Sequence, residues 1–142
     1  MKKIFLLAIC ALGMSATAQK LSNELTAALK NDDTRVIATL VTTANKDTCY
    51  EFNSGTLNAL QLATSMGSGD VVHHLLVELK LDPNTTCSGR TALQFAASQG
   101  RASLVKDLLD AGANVNTVFE GKTALDYAKE SKNAATIALL SK

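Results

Sequence analysis

Apolar positions along this chain fall in pairs of short helical stripes. In the stretch from residue 91 to residue 109, Leu93, Ala96 and Ala97 recur at three- and four-residue spacing, and Leu104, Val105, Leu108 and Leu109 form a second stripe. Each stripe is about two turns long, so the pattern predicts two short helices that each bury one face. Gly100 stands between them, where a helix must stop and a positive φ costs least. Ala111-Gly112-Ala113-Asn114-Val115-Asn116 then supplies a glycine stop and turn-forming Asn residues, and a segment without helical periodicity leads to Gly121. The predicted unit is helix, turn, helix, extended finger.

The unit recurs. Asn58-Ala59-Leu60-Gln61-Leu62-Ala63-Thr64-Ser65-Met66-Gly67 superposes on Thr91-Ala92-Leu93-Gln94-Phe95-Ala96-Ala97-Ser98-Gln99-Gly100, and a third copy opens at Thr123-Ala124-Leu125-Asp126-Tyr127-Ala128 at nearly the same interval. The second helices align as well, Val71-Val72-His73-His74-Leu75-Leu76 falling on Leu104-Val105-Lys106-Asp107-Leu108-Leu109. A half-match lies upstream, where Leu25, Ala28, Val36, Ile37 and Leu40 occupy the positions of Leu93, Ala96, Leu104, Val105 and Leu108. A period of roughly 33 residues predicts a stacked array. No unit can bury its apolar face alone, so stability comes from neighbours and about three units are the minimum.

The third unit, GRTALQFAASQGRASLVKDLLDAGANVN from Gly89 to Asn116, closely resembles the ankyrin repeat. The family's T-P-L-H-x-A opening stands here as Thr91-Ala92-Leu93-Gln94-Phe95-Ala96, with Ala for Pro and Gln for His. Leu81-Asp82-Pro83-Asn84 takes the place of the family's G-A-D-V-N ending without its Gly, and Lys132 stands where the family has Gly. The resemblance implies an all-α ankyrin-repeat solenoid: stacked helix-turn-helix units with extended β-turn fingers, about three full repeats and an N-terminal cap. It also implies a binding face of finger tips and exposed first-helix positions. Carried across by position, that face holds Leu57, Ser65, Met66, Ser88, Arg90, Ser98, Gln99, Phe119, Glu120 and Lys122, with Glu130 and Ser131 beyond. Arg90 and Phe119 are the expected anchors, because Arg and aromatic side chains dominate interface energetics. Phe119 could equally pack against the neighbouring finger. Tyr50 and Phe52, in the longer loop from Asn45 to Ser54, are further candidates.

Composition narrows the setting. With 142 residues the chain fits one domain, and with 46% hydrophobic but only 4% aromatic residues its core must be built from Leu, Val, Ile and Ala. Charge is balanced, 14 Lys and Arg against 13 Asp and Glu with no like-charge block, which argues against a nucleic-acid surface. The segment from Met1 to Ala18 reads as a cleavable secretion signal: Lys2 and Lys3, the apolar run from Ile4 to Met14, and Ala16-Thr17-Ala18 as the cleavage site. The run is shorter than the roughly 20 residues a membrane span needs, and Ile9 before Cys10 is not the small residue of a lipoprotein signal. The expected product runs from Gln19 to Lys142, one ankyrin-repeat domain, periplasmic or secreted, with no membrane contact after cleavage. Two cysteines remain in it, Cys49 and Cys87, and in an oxidising compartment an even pair is expected to bridge rather than to serve as redox or metal ligands. They lie in the first two fingers, but the first finger is somewhat longer, which leaves their alignment across the stack open.

Nothing in the sequence argues for catalysis. His73 and His74 are adjacent and point to different helix faces, so they cannot hold a metal as an i, i+4 pair would. Gly67-Ser68-Gly69-Asp70 follows a helix and lacks the Gly-Lys-Ser/Thr of a phosphate loop, so it reads as an inter-helix turn, and Asp32-Asp33 at the same place reads as a cap for the next helix. Asp82, Asp107, Asp110 and Asp126 are spread along the array and form no carboxylate pair. The expectation is a monomeric, non-enzymatic protein with no cofactor or metal that binds one protein partner, inhibiting a periplasmic or toxic enzyme or giving immunity against it. Support of oxidative-stress defence and delivery as an effector against a host protein are the alternatives; all three rest on fold and location by analogy.

Overall fold

The computed structural model describes residues 19–53 and 55–142; the segment from Met1 to Ala18, read above as a secretion signal, lies outside the described residues. Among these residues eight helices form four antiparallel pairs: α1 (Asn23–Lys30) with α2 (Thr34–Leu40), α3 (Ala59–Met66) with α4 (Gly69–Val77), α5 (Ala92–Ser98) with α6 (Ala102–Asp110), and α7 (Ala124–Ser131) with α8 (Ala134–Leu140). First helices stack on first helices (α1, α3, α5, α7) and second on second, as the period predicts. Among the described residues no helix is long and apolar enough to cross a membrane.

The first helices of the last three pairs open on a capping box. Asn58, Thr91 and Thr123 accept the backbone N–H three residues on, and the residue there, Gln61, Gln94 or Asp126, reaches back to accept the cap residue's own N–H, so two otherwise orphaned donors are satisfied at once. Gly67 closes α3 at φ +78, but Lys132 closes α7 at φ +57, a region that L side chains enter only at a cost of roughly 1–2 kcal/mol. The core is almost entirely aliphatic, with Leu29, Ile37, Leu60, Leu62, Leu75, Leu93 and Leu108 buried completely between the layers. Most of these are stripe positions.

Polar groups tie the layers together where the apolar stripes leave off. The Gln61 carboxamide, besides its part in the cap, donates from Nε2 to the Arg90 carbonyl at 2.5 Å, and Gln94 donates to the Thr117 and Lys122 carbonyls at 2.8 and 3.2 Å. Each therefore binds the loop that precedes the next pair. Asp33 caps its own helix through Arg35 and Val36, as its position implies, whereas Asp32 caps α4 of the following pair, accepting from the N–H groups of Asp70 and Val71 at 3.0 and 2.8 Å. Ser68, the residue ahead of α4, makes no cap and instead donates to the Leu29 carbonyl of the preceding pair.

The all-α expectation needs one correction. β2 (Tyr50–Phe52) and β3 (Gly55–Leu57) form a hairpin with Tyr50 opposite Leu57, and β1 (Gln19–Lys20) pairs in parallel with β2, giving a three-stranded sheet in the order β1-β2-β3. The later loops carry far less strand: Phe119 and Lys122 make a single bridge. The extra length before the hairpin is taken up by a turn after α2 that Asn45 organises, its side chain donating to the Leu40 carbonyl at 2.9 Å and accepting the Thr42 N–H at 2.7 Å. The turn delivers Cys49 to within 5.8 Å (Cα to Cα) of Cys87, and the two are joined by a disulfide.

Candidate functional site

A groove of about 270 Å³ opens where the β2–β3 hairpin, the loop before α5, and Phe119 meet the exposed side of α3 and α5. Phe52, Leu57, Phe95 and Phe119 make it largely apolar, Ser65 and Ser88 stand at its edge, and Arg90 is the one charged residue lining it. The loops position these groups through bonds already described. Gln61 holds the Arg90 carbonyl, and Thr56 donates to the Cys87 carbonyl at 3.4 Å, so the hairpin is bound to the next loop by a hydrogen bond as well as by the disulfide.

Arg90 is not the free surface anchor that its position in the repeat suggested. Its guanidinium carbon lies 4.4 Å from the centre of the Phe95 ring and 4.6 Å from that of Tyr127, so the cation is held between two aromatic faces. Nη2 donates to the Ser98 hydroxyl at 2.6 Å, and that hydroxyl donates to the Phe95 carbonyl at 2.9 Å. Nε is buried with no acceptor. No carboxylate neutralises the charge: among the described residues the ion pairs are Lys46 with Asp47, Lys106 with Asp110 and Lys122 with Glu130.

Phe119 also has a packing role. Its ring lies over Gly89, where an added Cβ would approach the ring to 3.2 Å, and its carbonyl accepts from the Tyr127 hydroxyl at 3.3 Å. Truncating Phe119 or Arg90 would disturb the fold as well as the groove. Lys122 sits outside the groove, 2.6 Å from Glu130 and 5.6 Å from the Tyr127 ring centre, and its bond to Glu130 raises the ammonium's pKa.

The structure gathers six of the residues expected at the binding face into this groove: Phe52, Leu57, Ser65, Ser88, Arg90 and Phe119. Ser98 stands beneath it as the Arg90 acceptor. Met66 packs half-buried on the core, Gln99 donates to the Ser65 carbonyl at 2.9 Å and so links two units, and Glu120 is exposed in the turn between Phe119 and Lys122 at φ +51. Ser131 donates to the Ala97 carbonyl of the preceding unit. Tyr50 is a correction. It is 6% exposed, a core residue, because the hairpin turns it inward opposite Leu57; burial pushes its phenol pKa up, with a bond to Thr48 working against that. The residues that the sequence reading missed are Phe95 and Tyr127, which flank Arg90. Both stand four residues after the capping Thr of their unit, the position of Leu62 in the earlier one, and an aromatic side chain at that place in two successive units was the available signal.

A second depression of about 340 Å³ lies on the opposite layer, between α4 and α6, lined by His73, Leu76, Val77, Lys80, Asp107 and Asp110. No group of three or more His, Cys, Asp or Glu among the described residues is arranged to hold a metal ion.

Residues 74–142 match the family model described as ankyrin repeats (3 copies). The paired helices, the capping threonines and the regular repeat period agree with the match, so this part of the chain consists of ankyrin repeats, a class of protein–protein interaction module. No curated protein matches the chain.

Proposed function

We propose that this chain is a non-catalytic binding protein of an oxidising compartment, periplasmic or extracellular, and that the groove around Arg90 receives a segment of one protein partner whose activity it blocks. The groove carries this reading: it is apolar, lies on the side of the first helices and loops, and holds a fixed cation that no carboxylate of the described residues satisfies. The Cys49–Cys87 bridge supports the compartment, since disulfides persist where thiols are not kept reduced. The segment ahead of Gln19, read as a signal, agrees with it. In this reading α1 and α2 serve as the N-terminal cap of the array, and the loops at the hairpin, at Gly89 and at Phe119 serve as its fingers.

Ser88 is exposed, lines the groove and makes no side-chain bond among those described, so Ser88→Trp fills the site without touching the core. Wild type and this variant are used to capture partners from an extract of exported proteins, and the captured protein's activity is assayed with and without the chain. Capture by the wild type, its loss in the variant and inhibition of the partner are expected. Equal capture by both proteins refutes the groove. A chain inside the cell that still carries Met1 to Ala18, by intact mass, refutes the compartment.

A further inference from the structure

Resting on the groove reading, we infer that the partner segment presents a carboxylate side chain, Asp or Glu, next to a large apolar side chain, and that Arg90 is the receptor for the carboxylate. Three observations carry this. The guanidinium is fixed before any partner arrives, by Phe95 on one side, Tyr127 on the other and the Ser98 hydroxyl at 2.6 Å, so little freedom remains to be lost on binding. Its charge has no counter-ion among the described residues, whereas Lys122, over the same Tyr127 ring, is neutralised by Glu130 at 2.6 Å. And the surroundings are apolar, so a charge brought there is poorly screened.

A cation in such a place favours an anion over any neutral acceptor, because charge-assisted bonds from a planar fork to a carboxylate are roughly twice as strong as neutral ones. Phe52, Leu57 and Phe119 then leave apolar wall for the neighbouring side chain. A basic segment is excluded by repulsion. A purely apolar one would leave the half-buried cation without a partner after closing off water, which is costly. Acid beside apolar is the combination that satisfies both parts of the groove.

The probe is a displayed library of random dodecapeptides, selected against the disulfide-bonded protein. Enriched peptides are expected to share Asp or Glu beside an aromatic or large aliphatic residue, and to lose binding to the Ser88→Trp protein. Replacing the acid by its amide should weaken binding to wild type by about tenfold or more but change binding to Arg90→Gln little, because the partner of the acid is already gone. Arg90→Lys runs alongside, since Gln also empties the space between the rings; it keeps the charge, loses the fork, and should show a reduced acid dependence. If Arg90→Gln fails to fold, by its circular dichroism spectrum, the Arg90→Lys comparison decides. Peptides blocked by Ser88→Trp but indifferent to their acid overturn this inference and leave the groove reading standing. Peptides indifferent to Ser88→Trp, or no enrichment at all, overturn both.

Discussion

Removing the Cys49–Cys87 bridge should cost this protein a large share of its stability. The bridge joins positions 38 residues apart and spans the α3–α4 pair, tying the loop before β2 to the loop before α5. Closing a loop of that size removes about 13 cal/mol/K of chain entropy from the unfolded state, or about 4 kcal/mol at 25 °C. For an array of four helix pairs, near the lower limit for this kind of stack, that is comparable with the whole margin of many small domains. The perturbation is the pair Cys49→Ala and Cys87→Ala together, with each single variant beside it. Unfolding in urea, followed by circular dichroism, should give a loss of about 4 kcal/mol and a melting temperature lower by roughly 10–15 °C. Two further marks separate loop closure from local packing. The single variants should cost as much as the double, because either one opens the loop. The urea slope should rise in all three, because the unbridged chain exposes more surface on unfolding. A double variant within about 1 kcal/mol of wild type, with an unchanged slope, would refute the reasoning.

Three other outcomes follow from named contacts. Lys132→Gly should raise stability by about 1 kcal/mol, since φ +57 suits glycine, and a lower melting temperature would count against strain at that position. Gln94→Ala removes two donors to loop carbonyls and the acceptor for the Thr91 N–H, and a loss of roughly 2–4 kcal/mol in urea unfolding is expected against almost none for an exposed control such as Lys129→Ala. The Thr123 N–H and hydroxyl hold the Asp126 carboxyl below its ordinary value of 3.8, so its contribution is present above that value and is lost as the pH falls through the lower native one; the stability gap between wild type and Asp126→Asn should be open at neutral pH and close in acid, and a gap that widens there would contradict the assignment.

The helices and their order were legible because stacking reuses one rule at every turn: Leu93, Ala96, Leu104, Val105 and Leu108 are spaced for burial whatever lies beyond them. The site was legible only in part. Ser88, Arg90 and Phe119 could be named from their place in the unit and Phe52 from the longer loop, but place alone says nothing about what a side chain meets. Arg90 reaches Tyr127 in the next unit, a contact set by how two units stack and not by local spacing. Tyr50 is a candidate in sequence because it stands with a second aromatic in the longer loop, whereas in the fold it pairs with Leu57 opposite and Gln19 alongside, one of them far away in the chain. The alignment of Cys49 and Cys87 across the stack was open for the same reason. The residues that bring Cys49 into range form a turn around Asn45, and only the folded backbone shows where the added length goes.

The carboxamides of Gln61 and Gln94 give the array a direction of growth. Each donates forward to the loop ahead of the next pair, whereas Asp126, at the same place in the last described pair, has acceptors alone and commits Oδ2 to Thr123. A further unit grafted behind α8 would find no donor at this position for its loop, and the Asp126 carboxylate would face the incoming carbonyl oxygen as an unfavourable neighbour. Asp126→Gln is thus the change that would give the last described pair the forward donor its predecessors have, and an engineer adding a unit behind α8 should make it first.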